Sequence, residues 1–173
     1  HVVSRVDPSR RRADLTVVAE VRNLSDRAVL GTLRGRIEAV QFSQTVELGP
    51  RETRVVRFTP EAFAQLRVAN PRLWWPAELG APNLSQLDLE FAVGAVISDR
   101  RRTTFGIREI TSELTDKGAR LFKINGRPLL IRGGGWAPDM LLRATPERQE
   151  AEMRYVRDMG LNTIRLEGKL EDE

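Results

Sequence analysis

The sequence of 173 residues has no cysteine, and its one histidine is His1. The absence of cysteine excludes disulfide bonds and thiolate-ligated metals. A single terminal histidine argues against a Ser-His-Asp triad and against a histidine-rich metal centre. We therefore expect neither a metal site nor a cofactor.

Long apolar runs are also missing. No stretch approaches the roughly 20 apolar residues that a membrane helix needs. The first seven residues, HVVSRVD, lack the apolar centre of a signal peptide. We therefore expect no membrane partner, and we expect any export signal of a longer parent protein to lie upstream of this segment.

Lysine is scarce, being limited to Lys117, Lys123 and Lys169, so that arginine carries most of the basic charge. The formal net charge of +4 would allow a nucleic-acid binder. However, the arginines alternate with acidic residues, and the aromatic residues do not interleave with basic runs as base-stacking platforms do. The clusters Arg10–Arg12 and Arg100–Arg102 are predicted to be solvated charges in turns, and we expect no nucleic-acid partner.

Short apolar-polar segments separated by turns fill the first 110 residues. These segments are Asp14–Asn23, Gly35–Phe42, Ser43–Leu48, Thr53–Phe58, Leu87–Val93 and Arg102–Arg108. Alternation with period two and enrichment in β-branched residues are typical of half-buried strands. Strands at intervals of about ten residues predict an all-β, antiparallel sandwich of the immunoglobulin-like type.

The pattern changes beyond residue 110. Asn125-Gly126 lies between two apolar runs and predicts a β-hairpin. Residues 133–139 contain three glycines and are predicted to be an irregular loop. A helix should begin at Thr145-Pro146 and end at Gly160, because these residues suit a helix cap, a first helical position and a C-terminal stop.

The segment Leu161–Leu166 after this helix is predicted to be a buried strand. The order strand, loop, helix, strand makes one βαβ unit, which implies a parallel sheet. A single unit cannot bury both faces of its strands, so we expect the chain to be truncated.

Two ordered sets of motifs resemble glycoside hydrolase family 2. The first comprises NPRLWWP (70–76), QLDL (86–89) and FGIR (105–108), and the second NGRPLLIRGGGW (125–136) and GLNTIR (160–165). The resemblance implies an immunoglobulin-like domain over residues 1–110. It also implies that residues 111–173 are a β-hairpin and the first strand-helix-strand of a truncated (β/α)₈ TIM barrel.

Within that family, RGGGWAPDMLLR (132–143) and LNTIRLEG (161–168) are most similar to the exo-β-D-glucosaminidases, which remove glucosamine from chitosan ends. The β-mannosidase branch is the alternative. The resemblance implies a parent enzyme that is secreted or periplasmic in a bacterium. Its partners would be the rest of the catalytic barrel and an oligosaccharide substrate.

Retaining glycosidases use two carboxyl groups about 5–5.5 Å apart. In this family these groups lie at the ends of barrel strands four and seven. The resemblance therefore implies that the segment contains no catalytic residue and is inactive by itself. Its sandwich would be an accessory domain that packs on the barrel.

Four residues near the predicted barrel mouth are expected to bind substrate: Trp136, Asp139, Arg165 and Glu167. Trp136 offers a flat face to a sugar ring, and its alternative is a structural aromatic. Arg165 matches the family arginine that would keep the nucleophile carboxylate ionised, and its alternative is a structural ion pair. Glu167 or Asp139 could pair with a substrate ammonium group.

The adjacent Trp74 and Trp75 raise a different possibility, a free-standing carbohydrate-binding module. Neighbouring strand residues point to opposite faces, so we expect one ring in the core and the other against a neighbouring domain. The predicted βαβ tail also argues against such a module, because a self-contained binding domain would not need one.

Overall fold

The computed structural model describes residues 1–137, 139, 141, 143 and 145–168. Its first part is built from strands and one 3₁₀ turn, Ala64–Leu66. The strands are β1 (Val2–Val6), β2 (Arg12–Arg22), β3 (Val29–Ile37), β4 (Val40–Leu48), β5 (Thr53–Phe58), β6 (Arg67–Ala69), β7 (Ser85–Val93) and β8 (Val96–Phe105).

These strands form two antiparallel sheets. One has the order β1-β2-β5, with β6 pairing the start of β2, and the other has the order β4-β3-β7-β8. Leu15 and Val17 of β2 pack in one buried cluster with Leu33 and Ile37 of β3. These inward residues alternate with outward ones because strand side chains point to opposite faces in turn. The predicted antiparallel β-sandwich is therefore confirmed.

Three phenylalanine rings of this core, or packed against it, contact one another. The Phe42 and Phe58 ring centroids are 4.7 Å apart, and those of Phe58 and Phe63 are 5.1 Å apart. Such tilted and edge-on pairs add to the stabilisation that comes from burial alone. Because Phe42 and Phe58 lie in different sheets, their contact joins the two halves of the sandwich.

The predicted single strand Gly35–Phe42 is wrong, since a two-residue turn divides it. Strand β3 ends at Ile37, β4 begins at Val40, and these two residues pair directly. Glu38 adopts a positive φ of 50° to make the turn. Glu38-Ala39 contains none of the glycine, asparagine or aspartate that usually marks such a turn, which is why the pattern missed it.

The placement of Arg100–Arg102 in a turn is also wrong, because they lie in β8. Across the sheet, Arg102 Nε lies 2.7 Å from Asp88 Oδ1, and Arg36 Nη2 lies 2.9 Å from Asp88 Oδ2. The hydrogen bonds from Arg102 first, then from Gln86 and Arg36, lower the pKa of Asp88 to about 2. These arginines therefore serve as cross-strand partners of acidic residues.

The two adjacent tryptophans are fixed by arginines from distant segments. The Arg108 guanidinium lies 4.5 Å from the Trp74 ring centroid, and that of Arg127 lies 5.4 Å from the Trp75 centroid. Trp75 also packs against the sandwich core. Both distances suit cation–π contacts, so each ring has a face covered within this chain.

The position of Gly106, directly after Phe105, has no room for a side chain. A Cβ placed at Gly106 would lie 2.6 Å from Trp74 Cβ. The Trp74 backbone is held there because its N–H donates to the Ile107 carbonyl at 2.9 Å. The segments around Trp74 and Ile107 therefore approach each other too closely for any larger residue.

We expect Gly106→Ala to lower the free energy of unfolding by about 1–3 kcal/mol, because the added methyl group overlaps the Trp74 side chain. Urea denaturation of the 173-residue chain measures the change. Gly134→Ala is the matched control, since no atom lies within 4 Å of the Cβ it would add. Equal stabilities for the two variants would contradict this account of Gly106.

The chain next forms a small antiparallel sheet of β9 (Ile110–Leu114), β10 (Arg120–Ile124) and β11 (Arg127–Leu129). Asn125 and Gly126 connect β10 to β11 with φ values of 49° and 76°. Two consecutive positive φ angles are typical of a type I′ turn. The predicted Asn-Gly hairpin is confirmed, whereas the pattern had not predicted β9.

The last described elements are β12 (Gly133–Trp136), α1 (Pro146–Asp158) and β13 (Thr163–Leu166). Helix α1 begins as predicted, since the Thr145 hydroxyl accepts the Arg148 N–H at 3.3 Å. Gly160 follows it with a φ of 72°. Strands β12 and β13 pair in parallel, so the predicted strand-helix-strand order is observed. The predicted burial of the last strand is wrong, because Arg165 and Leu166 are exposed and the other two residues of β13 are only half-buried.

The predicted irregular loop over residues 133–139 is wrong for its first four residues, because they form β12. A Cβ at Gly133 would collide with the Thr163 carbonyl oxygen, so only glycine permits this close pairing. Glycine is a poor strand former, so the residue pattern of this segment did not predict a strand.

Among the described residues, no helix is both long and apolar enough to cross a membrane.

Candidate functional site

The carboxyl ends of β12 and β13 meet at one edge of their parallel sheet. Trp136 pairs with Leu166, and the Glu167 N–H donates to the Trp136 carbonyl at 2.9 Å. In parallel α/β structures this edge is the usual location of binding sites. We therefore call this end of the sheet, with the residues that follow each strand, the carboxyl edge.

One face of the carboxyl edge carries an arginine–glutamate pair. Arg165 Nε lies 3.1 Å from Glu167 Oε1, and Arg165 Nη2 also contacts that oxygen. A Cβ at Gly135 would collide with the Glu167 carboxylate, which therefore lies over the glycine. The Arg165 side chain is 79% exposed and that of Glu167 is 44% exposed, so both remain open to a ligand.

The opposite face of β12 turns toward α1. Because successive side chains alternate along a strand, Trp136 points away from the face where Gly135 makes room for Glu167. Its indole N–H donates to Glu152 Oε2 at 2.8 Å. The polar end of the Trp136 ring is therefore satisfied by the helix.

Arg148 joins two carboxylates beside this tryptophan. Its Nε donates to Glu152 Oε1 at 2.9 Å, and its Nη1 donates to Asp139 Oδ2 at 2.6 Å. The second oxygen of Asp139 accepts the Leu141 N–H at 2.8 Å. The Asp139 side chain is only 12% exposed, so both of its oxygens are already occupied.

These contacts keep the group charged. The Leu141 N–H, followed by Arg148, lowers the pKa of Asp139 below its usual value. Arg148, followed by the Trp136 indole, lowers the pKa of Glu152. Glu152, followed by Asp139, raises the pKa of Arg148. The general acid of a glycosidase needs a raised pKa. The lowered pKa values of Asp139 and Glu152 therefore do not suit either residue to that role.

The other end of the parallel sheet is tied to the sandwich. Asn162 precedes β13 and donates from Nδ2 to the Leu130 carbonyl at 2.9 Å and also to Glu78. Its Oδ1 accepts the Arg132 N–H at 3.0 Å. Glu78 belongs to the sandwich turn that follows Trp75, and it lies 3.4 Å from Arg132 Nη2. One asparagine thus links β12, β13 and the sandwich.

The four residues predicted to bind substrate are near one another but fall into two sets. Arg165 and Glu167 form an exposed pair on one face, whereas Trp136 and Asp139 are bonded to the residues of α1 on the other. Their roles in binding sugar stay predictions. The sequence reasoning missed Arg148 and Glu152, although their i,i+4 spacing on α1 was a usable signal.

Within the described ranges, no group of three or more histidine, aspartate or glutamate residues could hold a metal ion. The arginine–glutamate pair offers both a cation and a carboxylate to a polar ligand.

The sandwich matches a known protein family. The family model of glycosyl hydrolases family 2 matches residues 1–108. This chain belongs to glycosyl hydrolases family 2. The matched range ends at Arg108, the last residue of the FGIR motif, so the family 2 match covers the sandwich and the close approach at Gly106.

The similarity to individual known proteins extends beyond the sandwich. The exo-β-D-glucosaminidase of Streptomyces avermitilis is 46% identical over 100% of this chain, which covers 19% of that protein. The mannosylglycoprotein endo-β-mannosidase of Lilium longiflorum is 35% identical over 97% of the chain and 18% of that protein. Identity is thus higher with the glucosaminidase than with the mannosidase.

A solved structure shows the same fold. The crystal structure of an exo-chitosanase from Amycolatopsis orientalis superposes with a TM-score of 0.87 and 38% identity, covering 99% of this chain and 20% of that one. The family 2 chain therefore spans about a fifth of the length of the relatives that it matches.

Proposed function

We propose that this family 2 chain is part of a retaining exo-β-D-glucosaminidase that removes glucosamine from the ends of chitosan oligosaccharides. The observation that carries the proposal is the 46% identity to a glucosaminidase along the whole chain. That identity includes the segment after residue 108, where the residues of the carboxyl edge lie. The identity to the endo-β-mannosidase of Lilium longiflorum is lower, at 35%.

We divide the chain into an immunoglobulin-like domain over residues 1–110 and the start of a TIM barrel over residues 111–173. The parallel pair β12 and β13, joined through α1, supports the barrel assignment, since a barrel repeats this unit eight times. Helix α1 buries none of its side chains fully among the described residues. The remaining barrel strands and helices would cover these surfaces.

At the carboxyl edge, Glu167 would bind the ammonium group of a glucosamine unit, and Arg165 would lie beside the nucleophile carboxylate. The exposure of both side chains and the space over Gly135 support these roles. Trp136 and Asp139 were predicted as further sugar contacts. Their bonds to Glu152 and Arg148 favour a supporting role behind the sugar site.

The catalytic carboxylates would lie beyond residue 173, on later barrel strands. The lowered pKa values of Asp139 and Glu152 agree with this assignment, because a general acid must be protonated when the sugar binds. The partners of the segment would be the rest of the barrel and the oligosaccharide. The parent enzyme would act outside the cytoplasm, secreted or in the periplasm, where chitosan oligosaccharides are accessible.

The test compares this segment with a version extended through the whole barrel, using nitrophenyl β-glucosaminide and nitrophenyl β-mannoside. We expect only the extended version to hydrolyse substrate, with the larger kcat/KM for the glucosaminide. A preference for the mannoside would assign the enzyme to the β-mannosidase branch instead. Hydrolysis by the segment alone would overturn the placement of the catalytic carboxylates.

A free-standing carbohydrate-binding module is the second candidate, and the exposed arginine–glutamate pair is the observation that favours it. Titration of chitosan oligomers into the segment distinguishes the two. Saturable binding by the segment alone would support the module, whereas binding only by the extended version would support the enzyme.

A further inference from the structure

Helix α1 presents two charged residues to the segment that follows β12. Arg148 and Glu152 are spaced i,i+4, so they lie on the same side of the helix one turn apart. Their bonds reach Trp136, the last residue of β12, and Asp139, three residues later. The helix is thus attached to the carboxyl edge by side chains as well as by the connecting chain.

A chain of side-chain hydrogen bonds connects Trp136 to Asp139 through Glu152 and Arg148. The Trp136 indole donates to one oxygen of Glu152, and Arg148 donates to the other oxygen and to Asp139. Arg143 Nε lies 3.5 Å from Oδ1 of Asp139, the oxygen that Arg148 does not contact. The planar guanidinium of arginine can serve two carboxylates at once with fixed geometry, which a lysine ammonium cannot do as well.

We propose that Arg148 and Glu152 are positioning residues that hold Trp136 and Asp139 at the mouth of the proposed sugar site. The proposal rests on the proposed function only for the identity of the bound sugar. Residues 138, 140, 142 and 144 lie outside the described part of the chain, and the residues that Arg148 and Glu152 contact are Trp136 and Asp139.

The link to substrate runs through the backbone of Trp136. Its carbonyl accepts the Glu167 N–H at 2.9 Å, so a displaced Trp136 would also displace Glu167. Glu152 restrains the side chain of Trp136, and Arg148 restrains Glu152. Small shifts of binding groups weaken substrate binding strongly, because the geometry of each hydrogen bond is lost.

The same helix contains a matched control. Glu150 and Arg154 form an i,i+4 ion pair of 2.9 Å, the same distance as that between Arg148 and Glu152. Both of these side chains are exposed, and neither contacts the carboxyl edge among the described residues. Substitution of this pair therefore changes helix charge without touching the carboxyl edge.

The first arm of the test uses the segment itself and needs no activity. We expect Arg148→Ala to accelerate tryptic cleavage after Arg143 by about threefold to tenfold, because the charge-assisted bonds that hold Asp139 are lost. Mass spectrometry assigns the cleavage. Arg148→Lys should restore part of the protection, and Arg154→Ala should cleave at the wild-type rate.

An independent measurement follows the Trp136 indole N–H by NMR, with its resonance assigned through Trp136→Phe. Glu152→Ala should shift this resonance and speed its exchange with solvent, because a carboxylate acceptor is removed. Glu150→Ala should leave it unchanged. Identical spectra for Glu152→Ala and wild type would overturn the proposed role of Glu152.

The second arm uses the version extended through the barrel. Arg148→Ala should raise KM for chitosan oligosaccharides by about fivefold or more while kcat stays within about twofold, because binding geometry is disturbed and the catalytic carboxylates are not. Arg148→Lys should recover part of the loss. Wild-type KM and wild-type proteolysis in Arg148→Ala would overturn the proposal.

The two arms separate this proposal from the proposed function. If the extended wild type hydrolyses no glucosaminide, the proposed function fails, and the cleavage and NMR measurements still decide the positioning role. If the extended wild type is active but Arg148→Ala behaves as Arg154→Ala does in every measurement, the positioning role fails alone.

Discussion

Arg165→Ala in the barrel-extended enzyme should lower kcat by about a hundredfold to a thousandfold, as the loss of one preorganised electrostatic contact to a reacting group does. Arg165 lies at the carboxyl edge with a 79% exposed side chain, and among the described residues its ion-pair partner is Glu167. If Arg165 lies beside the nucleophile carboxylate, as we propose, its positive charge would keep that group ionised. Steady-state hydrolysis of nitrophenyl β-glucosaminide measures the effect.

The folded state should tolerate this substitution. Exposed ion pairs contribute about 0–1 kcal/mol, so the thermal unfolding of Arg165→Ala should match that of wild type closely. Arg154→Ala, which removes another exposed arginine from an ion pair, is the control and should retain wild-type kcat. Wild-type turnover in a folded Arg165→Ala enzyme would show that Arg165 does not keep the nucleophile carboxylate ionised.

Asn125→Ala should destabilise the 173-residue chain by about 3 kcal/mol or more, because two unsatisfied buried groups cost about 1–3 kcal/mol each and the strained backbone about 1 kcal/mol. The Asn125 side chain accepts the Glu109 N–H at 2.9 Å and donates to the Trp74 carbonyl at 3.0 Å. The residue is 2% exposed, so water cannot replace these bonds. Urea denaturation measures the loss.

Two further variants divide this loss into its causes. Asn125→Gly keeps the positive φ without strain, so it isolates the side-chain hydrogen bonds. Asn70 is exposed and also adopts a positive φ, of 47°, so Asn70→Ala isolates the backbone cost of about 1 kcal/mol. If Asn125→Ala cost no more than Asn70→Ala, the side-chain bonds would contribute nothing to stability.

The role of Asn125 shows how one motif serves two purposes. The Asn-Gly pair makes the hairpin turn, and the asparagine side chain also joins this hairpin to the Trp74 backbone of the sandwich. Glu78 and Asn162 make a second connection between the sandwich and the parallel strands. The orientation of β12 and β13 therefore depends on residues of both regions.

The local signals in the sequence were reliable where one short segment sufficed. Alternation located β2, β5 and β7, and the cap at Thr145 located α1. The turn at Glu38-Ala39 and the strand at Gly133–Trp136 were missed. In both cases strand pairing imposes a structure that the residues themselves do not favour: the pairing of Ile37 with Val40 forces the turn, and the pairing with β13 makes Gly133–Trp136 a strand.

By itself, the sequence determined the antiparallel sandwich, the Asn-Gly hairpin and the capped helix, because these depend on residue spacing and on the φ angles that each residue permits. Its ordered motifs also indicated the family, through their resemblance to known members. Only the tertiary structure decided that Arg165 and Glu167 face away from Trp136, and that Arg148 and Glu152 bind the segment after β12. Those relations depend on strand register and on contacts between segments, and neither is encoded in a local pattern.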